Sequence, residues 1–105
     1  MSLRRAMALA DLWDGEMRAC SIDGHKLVLL KVKGIVRAYE DCCAHQGVPL
    51  SDGEFRDGVL TCCAHHWQYD AITGQGINPA RTCLHSFSVL VRDGEVLVDV
   101  DARKP

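Results

Sequence analysis

Two short stretches of the sequence concentrate side chains that bind metal ions. The first contains Cys43 and His45 in a C-x-H spacing, and the second, residues 62–67, reads CCAHHW about twenty residues later. Two thiolates and two imidazoles form a four-ligand set that suits tetrahedral zinc or a two-iron cluster whose irons are ligated unequally. The residue types alone leave both kinds of site open.

The second stretch contains C-x-x-H in two frames, because Cys62 pairs with His65 and Cys63 pairs with His66. In either frame each stretch offers one Cys and one His, whereas structural zinc fingers usually pair Cys with Cys and His with His along the chain. This arrangement favours two loops that pinch a flat cluster, with each loop contributing one ligand to each iron.

The elements around these loops predict an all-β chain that forms a single domain over residues 1–105. Short runs rich in Val, Leu and Ile are separated by glycine turns, and the predicted strands cover residues 17–22, 26–32, 35–39, 59–61, 67–70, 86–92 and 95–100. Two-residue hairpin turns are predicted at Asp23-Gly24, Lys33-Gly34, Asp57-Gly58 and Asp93-Gly94, because these residues tolerate positive φ. Only residues 8–13 have a helical pattern.

The middle of the chain, residues 41–80, has a different character. Its alternation of polar and apolar residues is weaker, and it holds most of the Cys, His, Gly and Pro residues. We expect a loop-rich cluster-binding subdomain inserted in a β framework, with both Cys/His stretches on loops at strand ends.

The composition of the chain limits the kinds of binding partner and the cellular compartment that can be expected. The 105 residues include 12 basic and 14 acidic side chains, so neither nucleic acid nor an anionic membrane is an expected partner. No apolar stretch approaches the roughly 18 residues of a membrane span, and no signal-peptide pattern is present, which predicts a cytoplasmic protein. In a reducing compartment the six cysteines indicate metal binding in preference to disulfides.

The residues around both stretches resemble the ligand loops of the Rieske [2Fe-2S] proteins. The first loop of that family has the form C-P-H-x-G-x-P-L, which residues 43–50 match except that Ala44 replaces Pro. The second has the form C-x-x-H-x-W-x-F/Y-D/N, with Trp and the second aromatic residue two and four positions after the histidine. Only the frame of Cys62 and His65 satisfies it, since Trp67 and Tyr69 then occupy those positions.

The resemblance implies one [2Fe-2S] cluster with Cys43 and Cys62 on one iron and His45 and His65 on the other. It also implies a Rieske fold, an antiparallel β-sandwich or barrel-like framework. High-potential Rieske proteins carry a disulfide between the loops, and the corresponding positions here are Val48 and Ala64. The resemblance therefore implies the low-potential, ferredoxin-like kind.

A further likeness implies the partners. Residues 11–17 and 74–79 are similar to the Rieske ferredoxin of toluene monooxygenases, multicomponent enzymes with a diiron hydroxylase. This implies a carrier that is not itself an enzyme and has no catalytic residue. It would take single electrons from an NADH-dependent flavin reductase, pass them to the diiron hydroxylase, and be monomeric when free. Because hydroxylation takes two electrons, the carrier would visit twice per turnover.

Three other functions compete with this one. A ferredoxin of a ring-hydroxylating dioxygenase would have the same cluster. A structural zinc module would use the same four ligands but leaves the flanking G-x-P-L and W-x-Y-D elements unexplained. A redox or iron sensor would need an effector or DNA-binding segment, and we see none in the sequence.

The remaining residues of interest have simpler interpretations. Cysteines 20, 42, 63 and 83 are expected to be small buried hydrophobes or incidental thiols, and His25 and His85 ordinary surface or core residues. His66 is an exposed neighbour of the site or a contact for the partner. Trp67 and Tyr69, two apart, are expected to pack on one strand face, with Trp67 also shielding the cluster.

Two expectations concern the surroundings of the cluster. Gly47, Pro49 and residues 76–79 would be scaffolding, the last as a third loop over the cluster. Residues 40–70 contain six acids and one base, Arg56, a balance of -5. If the acids ring the cluster, they steer docking to a basic patch on the partner.

Overall fold

The computed structural model describes residues 3–42, 49–62, 67–78, 80 and 82–104 of the chain. These residues form ten strands and two short 3-10 turns, Leu9–Asp11 and Leu50–Asp52, and include no α-helix. The strands are β1 (Leu3–Ala8), β2 (Met17–Ile22), β3 (His25–Val32), β4 (Ile35–Glu40), β5 (Glu54–Arg56), β6 (Val59–Thr61), β7 (Gln68–Asp70), β8 (Gly76–Asn78), β9 (Ser86–Arg92) and β10 (Glu95–Lys104). The predicted all-β class is confirmed.

All four predicted hairpin turns are present. In each pair the first residue has φ between 49° and 54° and the glycine has φ between 74° and 84°. Positive φ at both central residues is the signature of the type I′ turn, whose twist matches that of the flanking strands. The pairs Asp23-Gly24, Lys33-Gly34, Asp57-Gly58 and Asp93-Gly94 therefore set the register of four hairpins.

Six strands form an antiparallel sheet in the order β1-β10-β9-β4-β3-β2. The two edge strands, β1 and β2, contact each other, so the sheet curls towards a barrel. Its inner face encloses a first core, which consists of Leu12, Ile22, Leu27, Leu29, Val36, Ala38, Phe87, Val96, Val98 and Val100. This barrel-like framework agrees with the predicted architecture.

The other four strands form a second antiparallel sheet in the order β5-β6-β7-β8. Between this sheet and the outer face of β3 and β4 lies a second core, which consists of Val28, Leu30, Tyr39, Leu50, Leu60, Cys62, Tyr69, Ala71 and Leu84. Strand β3 is thus buried on both faces, with Leu27 and Leu29 in the first core and Val28 and Leu30 in the second. Burial on both faces explains its uninterrupted apolar run.

Two features differ from the sequence prediction. The helix expected over residues 8–13 is wrong: β1 pairs with β10 as far as Ala8, and only the turn Leu9–Asp11 follows before Leu12 enters the first core. Strands β1, β5 and β8 were not predicted. Because β5 and β8 lie within residues 54–78, this segment contains more sheet than the predicted loop-rich subdomain.

In the part of the chain that the structure describes, no helix is long and apolar enough to cross a membrane.

Candidate metal centre

The first loop, residues 41–51, leaves the end of β4 and returns at Leu50. Its predicted ligands, Cys43 and His45, lie outside the described residues, whereas both of its ends lie within them. Leu50 is buried in the second core. The carboxylate of Asp41 accepts hydrogen bonds from the backbone N–H and the hydroxyl of Ser51, at 2.8 and 2.7 Å. The two ends of the loop are therefore held side by side.

The second loop, residues 62–67, begins where β6 ends. Cys62 is 0% exposed, belongs to the second core and forms no disulfide. Its backbone N–H donates to the carbonyl of Trp67 at 2.8 Å, which closes the loop at its base. The predicted ligand His65, together with Cys63 and His66, lies outside the described residues. The structure thus anchors one predicted ligand, Cys62, at the border between the second core and this loop.

The two loops meet at Gly53, a position that the sequence analysis did not single out. A Cβ at this residue would overlap the carbonyl oxygen of Thr61 and lie 3.3 Å from the Cα of Cys62. The chain that leaves the first loop can lie against the chain that enters the second only because residue 53 has no side chain. The sequence signal was a glycine three residues after Leu50 that is not part of any hairpin turn.

Residues 76–79 were expected to form a third loop over the cluster, and this interpretation is wrong for the described part. Gly76–Asn78 is strand β8, which pairs with β7 through Gln68 and Tyr69; Pro79 lies outside the described residues. The chain that follows pairs with the end of β4, where the N–H of Glu40 donates to the carbonyl of His85 at 2.8 Å.

The aromatic residues after the second loop pack as predicted. Tyr69 is 0% exposed in the second core, and Trp67 is partly buried against the same core. Tyr39, from β4, faces them, and its hydroxyl donates to the carbonyl of Ala71 at 2.7 Å. Burial raises the pKa of Tyr39 to about 12, so this hydroxyl stays protonated at neutral pH and keeps the bond. The second core therefore packs against β7 through Tyr69 and holds the chain that follows β7 through the hydrogen bond of Tyr39 to Ala71.

The acidic residues do not all surround the site. Asp70 pairs with Val59 at the start of β6, and Asp57 lies in the turn before it, so both are at the end of the second sheet remote from Cys62. Asp52 and Glu54 are exposed next to Gly53. The condition that the acids of residues 40–70 ring the cluster is therefore not met by Asp57 and Asp70, and only part of the negative charge can steer a partner to this end.

The other cysteines and histidines have no clustered partner among the described residues. Cys20 and Cys42 are half-buried and Cys83 is exposed, contrary to the buried alternative, and none of the three forms a disulfide. Burial, with the Asp41 carboxylate as a second cause, raises the pKa of Cys20. His25 makes an edge contact with Phe87 at a centroid distance of 6.2 Å. Their ordinary roles agree with expectation.

The described residues fit a bound cluster at this end of the molecule. The fully buried Cys62 lies at the base of a loop that begins with Cys and ends with Trp, and the base of the other Cys/His loop is held against it through Gly53. A thiolate and its metal are stabilised when the surrounding shell excludes water. Within residues 3–42, 49–62, 67–78, 80 and 82–104 no three His, Cys, Asp or Glu side chains form a complete metal site by themselves.

Comparison with known proteins identifies this arrangement. The model of the Rieske [2Fe-2S] domain matches residues 3–88, and the chain belongs to that family. The chain is 46% identical over 95 residues to the ferredoxin component of an alkene monooxygenase system from Xanthobacter autotrophicus (strain ATCC BAA-1158 / Py2), covering 90% of this chain and 78% of that protein.

Two further relatives are more distant. The ferredoxin component of a naphthalene 1,2-dioxygenase system from Pseudomonas putida is 26% identical over 96 residues, which covers 90% of this chain and 92% of that protein. A solved chain from the complex of reduced oxygenase and oxidized ferredoxin in carbazole 1,9a-dioxygenase superposes with a TM-score of 0.83 at 30% identity and covers 91% of each chain. Because its relatives are ferredoxin components, this protein is an electron carrier that binds a Rieske-type [2Fe-2S] cluster and is not itself the catalyst.

Proposed function

We propose that this ferredoxin carries single electrons from an NADH-dependent flavin reductase to the diiron hydroxylase of a toluene or other aromatic hydrocarbon monooxygenase. Its cluster ligands would be Cys43, His45, Cys62 and His65, in a cluster-binding subdomain of about residues 41–80 within one domain. The observation that supports the site assignment is the complete burial of Cys62 at the junction of the two loops.

The proposed ligands divide between the two irons by chemical type. The thiolates of Cys43 and Cys62 would hold one iron, and the neutral imidazoles of His45 and His65 would hold the other. When bound, such a cluster takes up and releases one electron at a time, at a potential above that of an all-cysteine plant-type ferredoxin. The chain has Val48 and Ala64 where high-potential members have cysteines, which supports a low potential within the Rieske range.

The degree of similarity favours a monooxygenase partner. Identity to the alkene monooxygenase ferredoxin is 46%, against 26% for the naphthalene dioxygenase ferredoxin over a similar length. The second candidate, a carrier for a ring-hydroxylating dioxygenase, is supported by the likeness to the chain from the carbazole 1,9a-dioxygenase complex. Both candidates require an acceptor whose metal centre can approach the cluster of this ferredoxin.

The proposed partners imply a cellular location and an oligomeric state for this ferredoxin. A carrier that exchanges electrons with an NADH-dependent reductase belongs in the cytoplasm, where NADH is available, and works as a monomer that alternates between two docking partners. Asp52 and Glu54 are exposed beside the loop junction, so a basic patch on either partner would accelerate association at low ionic strength. Neither nucleic acid nor a membrane has a role in this scheme.

Reconstitution tests the proposal. The purified holoprotein is combined with a flavin reductase and either a diiron monooxygenase hydroxylase or a ring-hydroxylating dioxygenase, and NADH-dependent product formation is followed. We expect turnover with the monooxygenase pair to depend on the ferredoxin and to fall as salt screens the docking charges. The apoprotein is the control. Efficient turnover with the dioxygenase and none with the monooxygenase would replace this function by the second candidate.

A further inference from the structure

Asp41 closes the first loop, and its position suggests a role in the site beyond that of the four ligands. We infer that Asp41 is a positioning residue that fixes the geometry of Cys43 and His45 through its hydrogen bonds to Ser51. The inference rests on the proposed cluster site and concerns a residue that binds no iron itself.

The hydrogen bonds span the loop. Asp41 lies two residues before Cys43, and Ser51 lies six residues after His45. The Ser51 backbone N–H donates to Oδ1 of Asp41 at 2.8 Å, and the Ser51 hydroxyl donates to Oδ2 at 2.7 Å. The carboxylate of Asp41 therefore accepts two hydrogen bonds from Ser51, and the nine residues 42–50 lie between the two partners. Such paired, charge-assisted bonds restrict direction as well as distance.

Each end of this connection is tied to a different part of the framework. The backbone N–H of Asp41 donates to the carbonyl of Lys26 in β3 at 2.9 Å. Leu50, next to Ser51, is 1% exposed in the second core. Because both ends are anchored, the Asp41 carboxylate sets the span over which the ligands of the first loop must reach the cluster. Loss of the Asp41 carboxylate would release the two ends of the first loop from each other and increase the conformational freedom of that loop.

The connection also reaches the second loop. Gly53, two residues after Ser51, lies against Thr61 and Cys62. A shift of Ser51 would therefore move the first loop relative to the predicted ligand Cys62. This coupling distinguishes Asp41 from an acid that only stabilises a local turn.

Two substitutions separate the hydrogen bonds of Asp41 from its charge. In Asp41→Asn the amide oxygen can accept from the Ser51 N–H, and the amide nitrogen can donate to the Ser51 hydroxyl oxygen, so both connections survive without the charge. In Asp41→Ala neither connection survives. Ser51→Ala is a milder change, since it removes the hydroxyl and leaves the backbone bond.

Asp70→Ala is the matched control. Asp70 is also a partly buried carboxylate that accepts two hydrogen bonds, from the N–H groups of Ile72 and Thr73 at 2.8 and 3.2 Å. It lies at the end of the second sheet remote from Cys62. Although Asp70 is the last residue of the W-x-Y-D element, its loss removes a comparable turn that lies outside residues 41–51 and 62–67.

The experiment uses the purified holoproteins and two readouts: the rate of cluster loss to an excess of iron chelator below the melting temperature, and the electron paramagnetic resonance spectrum after reduction. We expect Asp41→Ala to lose its cluster about tenfold faster or more and to show a broadened spectrum. Ser51→Ala should be intermediate, and Asp41→Asn should stay within about threefold of the wild type with an unbroadened spectrum.

Three results would overturn the inference: Asp41→Ala as slow as wild type, Asp41→Asn as fast as Asp41→Ala, or Asp70→Ala as fast as Asp41→Ala. The first would show that the connection does not position the ligands, the second that charge alone matters, and the third that general destabilisation is the cause. Failure of the proposed function is distinguishable, because it would show as a wild-type protein without the Rieske signal or without turnover with the hydroxylase.

Discussion

Replacing Cys62 by serine is expected to abolish cluster binding, whereas replacing Cys63 by serine leaves a normal Rieske spectrum. Cys62 is fully buried at the base of the second loop, so a serine there would keep the packing volume nearly unchanged. It would, however, replace a thiolate ligand by a hydroxyl that stays protonated at neutral pH. The measurement is iron and sulfide per chain together with the visible spectrum of the purified variants.

Cys42→Ser provides the control for Cys62→Ser. Cys42 is half-buried in the first loop and is not a predicted ligand, so its replacement should leave the iron content unchanged. Circular dichroism would verify that all three variants are folded. If Cys63→Ser and His66→Ala lose the cluster while Cys62→Ser and His65→Ala keep it, the second loop uses the other frame, and the ligand assignment is wrong.

Gly53→Ala is expected to be the most damaging substitution at a residue that is not a ligand. Its Cβ would overlap the Thr61 carbonyl oxygen, and the atoms it meets are all backbone atoms of Thr61 and Cys62, so no flexible side chain can move away. Overpacking of this kind costs about 1–3 kcal/mol of unfolding free energy, and the shift would separate the bases of the two loops. We expect reduced cluster content as well as a lower melting temperature.

Gly58→Ala, in the adjoining β5 to β6 hairpin, is the matched substitution. A Cβ at Gly58 meets nothing within 4 Å, but its φ of +77° disfavours a side chain, so we expect a loss of about 1 kcal/mol. The cluster content of this variant should stay at the wild-type level, because Gly58 lies at the opposite end of the hairpin from Cys62. Equal cluster loss in both glycine variants would contradict a specific role of Gly53.

The parts of the fold that could be predicted are those encoded locally. The four Xaa-Gly pairs that need positive φ identified their hairpins, and apolar runs such as β3 identified buried strands. The second sheet was only partly predicted, because β5 and β8 are three residues long and are stabilised by pairing with β6 and β7. The apparent helix at residues 8–13 failed because pairing of β1 with β10 outweighs a weak local propensity.

The candidate site likewise has features that local sequence patterns predict and features that depend on contacts between distant chain segments. The two Cys/His motifs and the aromatic residues Trp67 and Tyr69 were visible as local patterns, and the packing of both aromatics is confirmed. Gly53 and the Asp41 to Ser51 connection were not visible, since each depends on a contact between chain segments. The acidic balance of residues 40–70 was a sum over sequence, and the hairpin geometry places Asp57 and Asp70 away from Cys62.

The most direct test of the central claim, a two-iron cluster with thiolates on one iron and imidazoles on the other, is the Mössbauer spectrum of the protein enriched in the iron-57 isotope. We predict two signals of equal area in the oxidised state, one for each ligand environment, and reduction localised on the histidine-ligated iron. A single iron environment, or a colourless protein with one bound zinc ion, would contradict the claim.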